Sequence, residues 1–171
     1  MTGPEASEAQ AGAIGVVVVT HGQLATELLN AAETIVGDLP RFVAVSIGWH
    51  DEVGDARQEI AEAIRRVDGP KGVLVLTDMF GGTPANLAIT LLETDRVEVL
   101  TGVNLPMLIK LAELRTSGDL LAVARDMRDH GRNAIWVASD LLRGEKSDRA
   151  GRSEKADDAP RAERAEPGPG A

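Results

Sequence analysis

The chain has 171 residues, no cysteine, and a formal net charge of −9. That length suits one domain with room for a tail, and enough chain to bury a core. The missing cysteines exclude disulfides, thiolate catalysis and Cys-ligated zinc. The acidic balance disfavours a nucleic-acid partner, whose phosphates need clustered Lys and Arg. It is compatible with docking a basic protein partner.

Apolar residues make up 43% and aromatic residues only 2%, so Ala, Val, Leu and Ile must build the core. No stretch has the length of a membrane span, so no direct membrane insertion is expected. Residues 1–13 are small and polar and lack the basic start and apolar run of a signal peptide. A soluble, cytoplasmic protein is the expectation, with 1–13 as a flexible arm.

The run Ile14-Gly15-Val16-Val17-Val18-Val19 reads as a strand buried on both faces, and it stops at Thr20-His21-Gly22. Leu24, Leu28, Ala31 and Ile35 follow at helical spacing, with Gly37 as the stop. Residues 41–47 form a second β-branched run, followed by the loop Gly48-Trp49-His50-Asp51. Val53, Ala56, Ile60, Ala63, Ile64 and Val67 mark a second helix, broken at Asp68-Gly69-Pro70.

Gly72 to Asp78 reads as a third strand. The loop Met79-Phe80-Gly81-Gly82 leads to Thr83-Pro84, which reads as an N-cap with proline at the first helical position, opening a helix to about Leu92. Val97 to Leu100 is a fourth strand. Short helices are predicted over 107–114 and from Asp119 to about Arg132, and Asn133 to Ala138 reads as a closing strand. From about Arg143 large apolar residues vanish, and a disordered, charged tail is expected over 143–171. The domain is thus expected over 14–142.

Alternating strands and helices with solidly apolar strands predict an open parallel α/β sheet with helices on both faces. Ligands in such folds bind beyond the carboxyl ends of the strands, where the strand order reverses. His21 ends the first strand and Asp78 the third. In the order 2-1-3-4 those strands are neighbours, so the two side chains are expected to meet.

A carboxylate that accepts one ring N–H fixes the imidazole tautomer and leaves the other nitrogen with its lone pair. Such a histidine can attack phosphorus without a separate base. Gly81, Gly82 and Thr83 offer backbone N–H groups and a hydroxyl to an anion, with Thr20 and Gly22 on the other side of the histidine. Each element also has a plain structural role: a surface histidine, a strand-end cap, a tight turn. Their convergence at one sheet edge favours phosphoryl chemistry. The absence of a Walker-type lysine argues against a nucleotide donor. Three scattered histidines give no metal-ligand spacing, and no cofactor is called for. His50 reads as a rim residue and His130 as a helix-end residue.

At these residues the sequence resembles the IIA domain of the mannose-family (mannose/fructose/sorbose) phosphoenolpyruvate-dependent sugar phosphotransferase system. The matching segments are Val18-Val19-Thr20-His21-Gly22, residues 72–78, Gly81-Gly82-Thr83-Pro84-Ala85-Asn86 and residues 102–107. The resemblance implies a four-stranded parallel sheet with a C-terminal antiparallel strand. It implies a phosphotransferase in which His21 takes a phosphoryl group from the histidine-containing phosphocarrier protein and passes it to a IIB subunit. Asp78 would orient His21, and Thr83 would stand beside it. It also implies a homodimer that exchanges the strand at 133–138. The loop Gly48-Trp49-His50-Asp51 departs from the Pro-Gly-Glu type loop of sugar-specific members.

Three other readings stay open on sequence grounds. The first is a regulatory phosphoprotein that signals through the state of His21. The second is a subunit feeding phosphate to dihydroxyacetone kinase. The third is a hydrolase using His21, Asp78 and Thr83; it lacks the strained nucleophile turn such enzymes need.

Overall fold

A computed structural model describes residues 12–114 and 118–143. Of the arm expected over 1–13, residues 1–11 lie outside the described residues and Ala13 is buried; of the tail expected over 143–171, residues 144 onward lie outside them. The chain divides into two units, one ending at Ile135 and one beginning at Trp136. In the first, the order is β1 (Gly15–His21), α1 (Leu24–Val36), β2 (Phe42–Ile47), α2 (Val53–Val67), β3 (Val73–Thr77), α3 (Thr83–Ile89), β4 (Val97–Thr101), α4 (Leu105–Leu114) and α5 (Leu120–Asn133). The second contributes α6 (Ala138–Arg143).

The four strands form one parallel sheet in the order β2-β1-β3-β4, as expected. β1 is central, and Val16, Val17, Val18 and Val19 are all 0% exposed. Each such burial stabilises by roughly 1.5–3 kcal/mol. Alternation splits the strand between two cores. Val16, Val18, Leu74 and Leu76 face α1, α4 and α5 through Ala25, Leu108, Leu111 and Met127. Val17, Val19, Val73 and Val75 face α2 and α3 through Ile60, Ala63, Leu87 and Ala88. This explains why the strands lack an apolar-polar alternation: both faces are covered.

The amino edge of the sheet is pinned by structural contacts. The Arg41 guanidinium donates to the Val67 carbonyl, and Arg96 pairs with Asp68. A side chain at Gly15 would strike the Val67 carbonyl oxygen at 2.2 Å, so α2 closes directly onto the start of β1. The carboxyl edge carries the polar loops.

Three expectations need correction. The helix after Gly82 ends at Ile89, short of Leu92, because its last turn tightens to three-residue bonds: Thr90 and Leu91 N–H donate to Leu87 and Ala88 oxygens. The Thr90 hydroxyl also donates to the Leu87 oxygen. Its N-cap is Gly82, with Thr83 already helical. The strand expected over 133–138 is absent. Helical bonding runs through Asn133, and the Ala134 N–H closes it on the His130 oxygen. Residues 135–137 are irregular before α6. A strand needs ladder bonds to a neighbour, and this segment forms none with the described residues of its own chain.

Candidate active site

The chain reverses direction across the sheet between β1 and β3. From β1 it moves outward to β2, then returns to place β3 on the other side. Val19 pairs with Thr77 in that register, so His21 and Asp78 emerge side by side. His21 Nδ1 lies 2.7 Å from Asp78 Oδ2, and the His21 backbone N–H donates to the same oxygen at 3.0 Å. The Met79 N–H donates to Oδ1 at 2.9 Å. The expected pair is present, and the two main-chain donors that fix the carboxylate could not be seen in the sequence.

Burial pushes the Asp78 carboxyl up, but the hydrogen bonds from the His21 N–H and ring and the Met79 N–H together outweigh it and hold the group below its ordinary value. The carboxylate therefore stays ionised at neutral pH. It accepts from Nδ1, which in the neutral ring assigns the proton to that nitrogen and the lone pair to Nε2. The Asp78 side chain is 13% exposed and the His21 side chain 43%, so the orienting group is covered while the ring meets solvent.

Gly82 lies against the ring on its Cε1–Nε2 side. A Cβ there would stand 2.6 Å from His21 Cε1 and 3.2 Å from Nε2. Only glycine lets the backbone pass this close. Gly81, at φ 84°, turns the loop in the left-handed region that favours glycine. Gly22 and Thr83 are exposed at the same edge.

Thr20 does not join them. It is fully buried, and its Oγ1 accepts from the Ala25 N–H at 2.7 Å, so the hydroxyl serves the start of α1 and is not presented to a phosphoryl group. His50 is exposed on the β2 loop, and His130 lies half-buried in the last turn of α5. Thr77, beside Asp78, is fully buried, and its hydroxyl has no hydrogen-bond partner. A cavity of about 400 Å³ lined by Leu92, Glu93, Asp95, Val97 and Leu120 includes the start of β4. That is the amino edge, away from His21.

An open parallel sheet with a carboxylate-oriented imidazole at its switch point defines an α/β protein built to present one histidine nitrogen. The sequence model of the family described as PTS system fructose IIA component matches residues 15–127, and the chain belongs to this family. It is similar to the PTS system mannose-specific EIIAB component of Escherichia coli, 33% identical over 132 residues, which cover 71% of this chain and 39% of that protein. The chain thus spans about two fifths of the length of that relative. It is also 27% identical to the PTS system fructose-specific EIIA component of Bacillus subtilis, over 75% of this chain and 89% of that one.

Among solved structures it resembles phosphotransferase system component EIIA from Streptococcus agalactiae. The TM-score is 0.67 at 28% identity, covering 74% of this chain and 98% of that one. The mannose/sorbose specific IIA subunit from Enterococcus faecalis gives a TM-score of 0.66 at 28% identity, over 73% and 94% of the two chains. Among the described residues no helix is long and apolar enough to cross a membrane.

Proposed function

We propose that His21 is the phosphoryl carrier of a mannose-type IIA component. It accepts the group from the histidine-containing phosphocarrier protein and passes it to a IIB subunit. The observation that carries this reading is the 2.7 Å contact between His21 Nδ1 and Asp78, which favours the neutral tautomer whose lone pair is on Nε2, beside Gly82. The Nε2 lone pair attacks phosphorus, the N–P bond forms, and the bond from phosphorus to the donor imidazole breaks. The ring becomes cationic, and the Asp78 carboxylate stabilises that charge through Nδ1–H. Attack by the acceptor's side chain reverses the sequence, and no proton need leave Nδ1 in either direction. The backbone at Gly81 and Gly82, with Gly22 and the Thr83 hydroxyl, lines the space the phosphoryl oxygens occupy.

The test is labelling from phosphoenolpyruvate through enzyme I and the phosphocarrier protein, followed by addition of a IIB subunit. Acid-labile label should appear on the protein and then leave it. Label that persists after IIB is added would contradict the transfer reading.

The same reading includes a homodimer formed through residues 133–138. Ile135, Trp136 and Val137 are 77%, 56% and 61% exposed. Three consecutive apolar residues in the open suit a segment that pairs with a second copy. Sedimentation should give a dimer for the native chain and a monomer for Trp136→Glu; a native monomer would contradict it.

A further inference from the structure

The chain has only four aromatic residues, two Trp and two Phe. Phe42 packs against the core. Trp49 is 94% exposed and Phe80 76%, and both stand at the carboxyl edge beside His21. Ile47 is the register partner of His21, and its oxygen accepts from the Gly22 N–H at 2.9 Å. Trp49 is two residues further on. On the other flank Asp78 bonds His21, and Phe80 is again two residues on. The two aromatic residues thus flank the histidine, as β2 and β3 flank β1.

The β2 loop is built to display its tryptophan. The Asp51 carboxylate accepts from the Gly48 N–H, and the Asp51 N–H donates back to the Gly48 oxygen. That turn holds Gly48 and Asp51 and leaves Trp49 at its tip. Met79, next to Asp78, and Leu24, at the start of α1, are also exposed at this edge, 55% and 47%.

The charge at this edge has one sign. The loops after the four strands contain Asp51, Glu52 and Asp78 and no Lys or Arg. Asp55, in the first turn of α2, is exposed. A phosphoryl group on His21 adds further negative charge that these loops do not neutralise. A partner carrying Lys or Arg complements this edge in charge.

We infer that Trp49 and Phe80 are the two anchors of a docking surface for a protein partner in phosphoryl transfer. That partner presents its own carrier side chain within an apolar patch ringed by Lys and Arg. This rests on the phosphocarrier reading of His21. Exposed aromatic anchors concentrate binding energy at interfaces. Together these two offer on the order of 300 Å², the core of a small transient contact and not of a permanent one. A carrier that must release each partner needs that size.

The test measures initial rates of His21 phosphorylation against the concentration of phosphorylated phosphocarrier protein. Trp49→Ala and Phe80→Ala should each raise KM about tenfold with little change in kcat. Glu52→Gln with Asp55→Asn should lower kcat/KM at low ionic strength and flatten its salt dependence. Phosphoramidate, a small donor that needs no docking surface, should label Trp49→Ala and the native chain alike. Native KM values in both aromatic variants would overturn the proposal. So would an equal loss with phosphoramidate, or loss of the dimer in Trp49→Ala, which would assign the surface to a second copy. A native chain that takes no label from either donor would instead overturn the phosphocarrier reading, and this proposal with it.

Discussion

His21 and Asp78 are 57 positions apart in the chain, yet Nδ1 of one lies 2.7 Å from Oδ2 of the other. The same oxygen accepts the His21 backbone N–H. One carboxylate oxygen therefore grips the histidine by both its main chain and its ring. The backbone bond fixes where β1 ends relative to β3, and the ring bond fixes which nitrogen faces outward.

Replacing Asp78 by Asn keeps the size of the side chain but removes the charge that stabilises the imidazolium. The amide can also turn its NH2 toward Nδ1, which favours the wrong tautomer. His21→phosphohistidine formation should slow on the order of 10–100-fold with an unchanged circular dichroism spectrum. Native rates in Asp78→Asn would contradict the orienting role.

The lowered carboxyl of Asp78 also has a pH signature. Its ordinary value is 3.8 and its folded value lies below that, so the unfolded chain takes up the proton first as pH falls. The stabilisation is therefore complete above the unfolded value and is lost as pH drops through the folded one. In urea unfolding between pH 6 and pH 2.5, stability of the native chain should fall more steeply below about pH 4 than that of Asp78→Asn. Parallel acid limbs would show that the hydrogen bonds on Asp78 do not bias its ionisation.

Gly82→Ala tests the approach of the loop to the ring. The added Cβ would stand 2.6 Å from His21 Cε1, so the imidazole or the loop that passes it must shift. A displacement of this kind should cost on the order of 10²-fold in phosphorylation rate, with little effect on the sheet. An alanine variant that labels at the native rate would show that Gly82 does not confine the ring.

Thr77 carries a buried hydroxyl with no partner. Valine has nearly the same shape and no polar atom to leave unsatisfied. Thr77→Val should raise the free energy of unfolding by about 1 kcal/mol, measured by urea titration. A loss of similar size would mean that the hydroxyl is hydrogen-bonded in solution.

The sheet was legible in the sequence because its strands are buried on both faces. Val16 to Val19 and Val73 to Leu76 are unbroken apolar runs, and the helices between them show their period. Alternation of strands and helices pointed to a parallel sheet but does not by itself fix the strand order; the order 2-1-3-4, expected and found, is what brings His21 to Asp78. Finer features were not legible for physical reasons. Thr20 and Thr83 are the same residue type at the same edge. Only burial and the bond to Ala25 separate the hydroxyl that caps a helix from the one that is exposed. The close pass of Gly82 depends on where the loop crosses the ring, which no local pattern encodes. The segment at 133–138 has the composition of a strand, but strand formation depends on a neighbour, and composition says nothing of whether that neighbour is in the same chain.

On the proposed mechanism, the Nδ1 contact with Asp78 reserves Nε2 of His21 for phosphorus. Phosphorus NMR of the phosphorylated protein distinguishes the two ring nitrogens directly. A single acid-labile phosphohistidine signal of the Nε2 type, absent in His21→Ala, is the predicted result. A signal of the Nδ1 type, phosphate on Thr83, or a signal that survives in His21→Ala would contradict it.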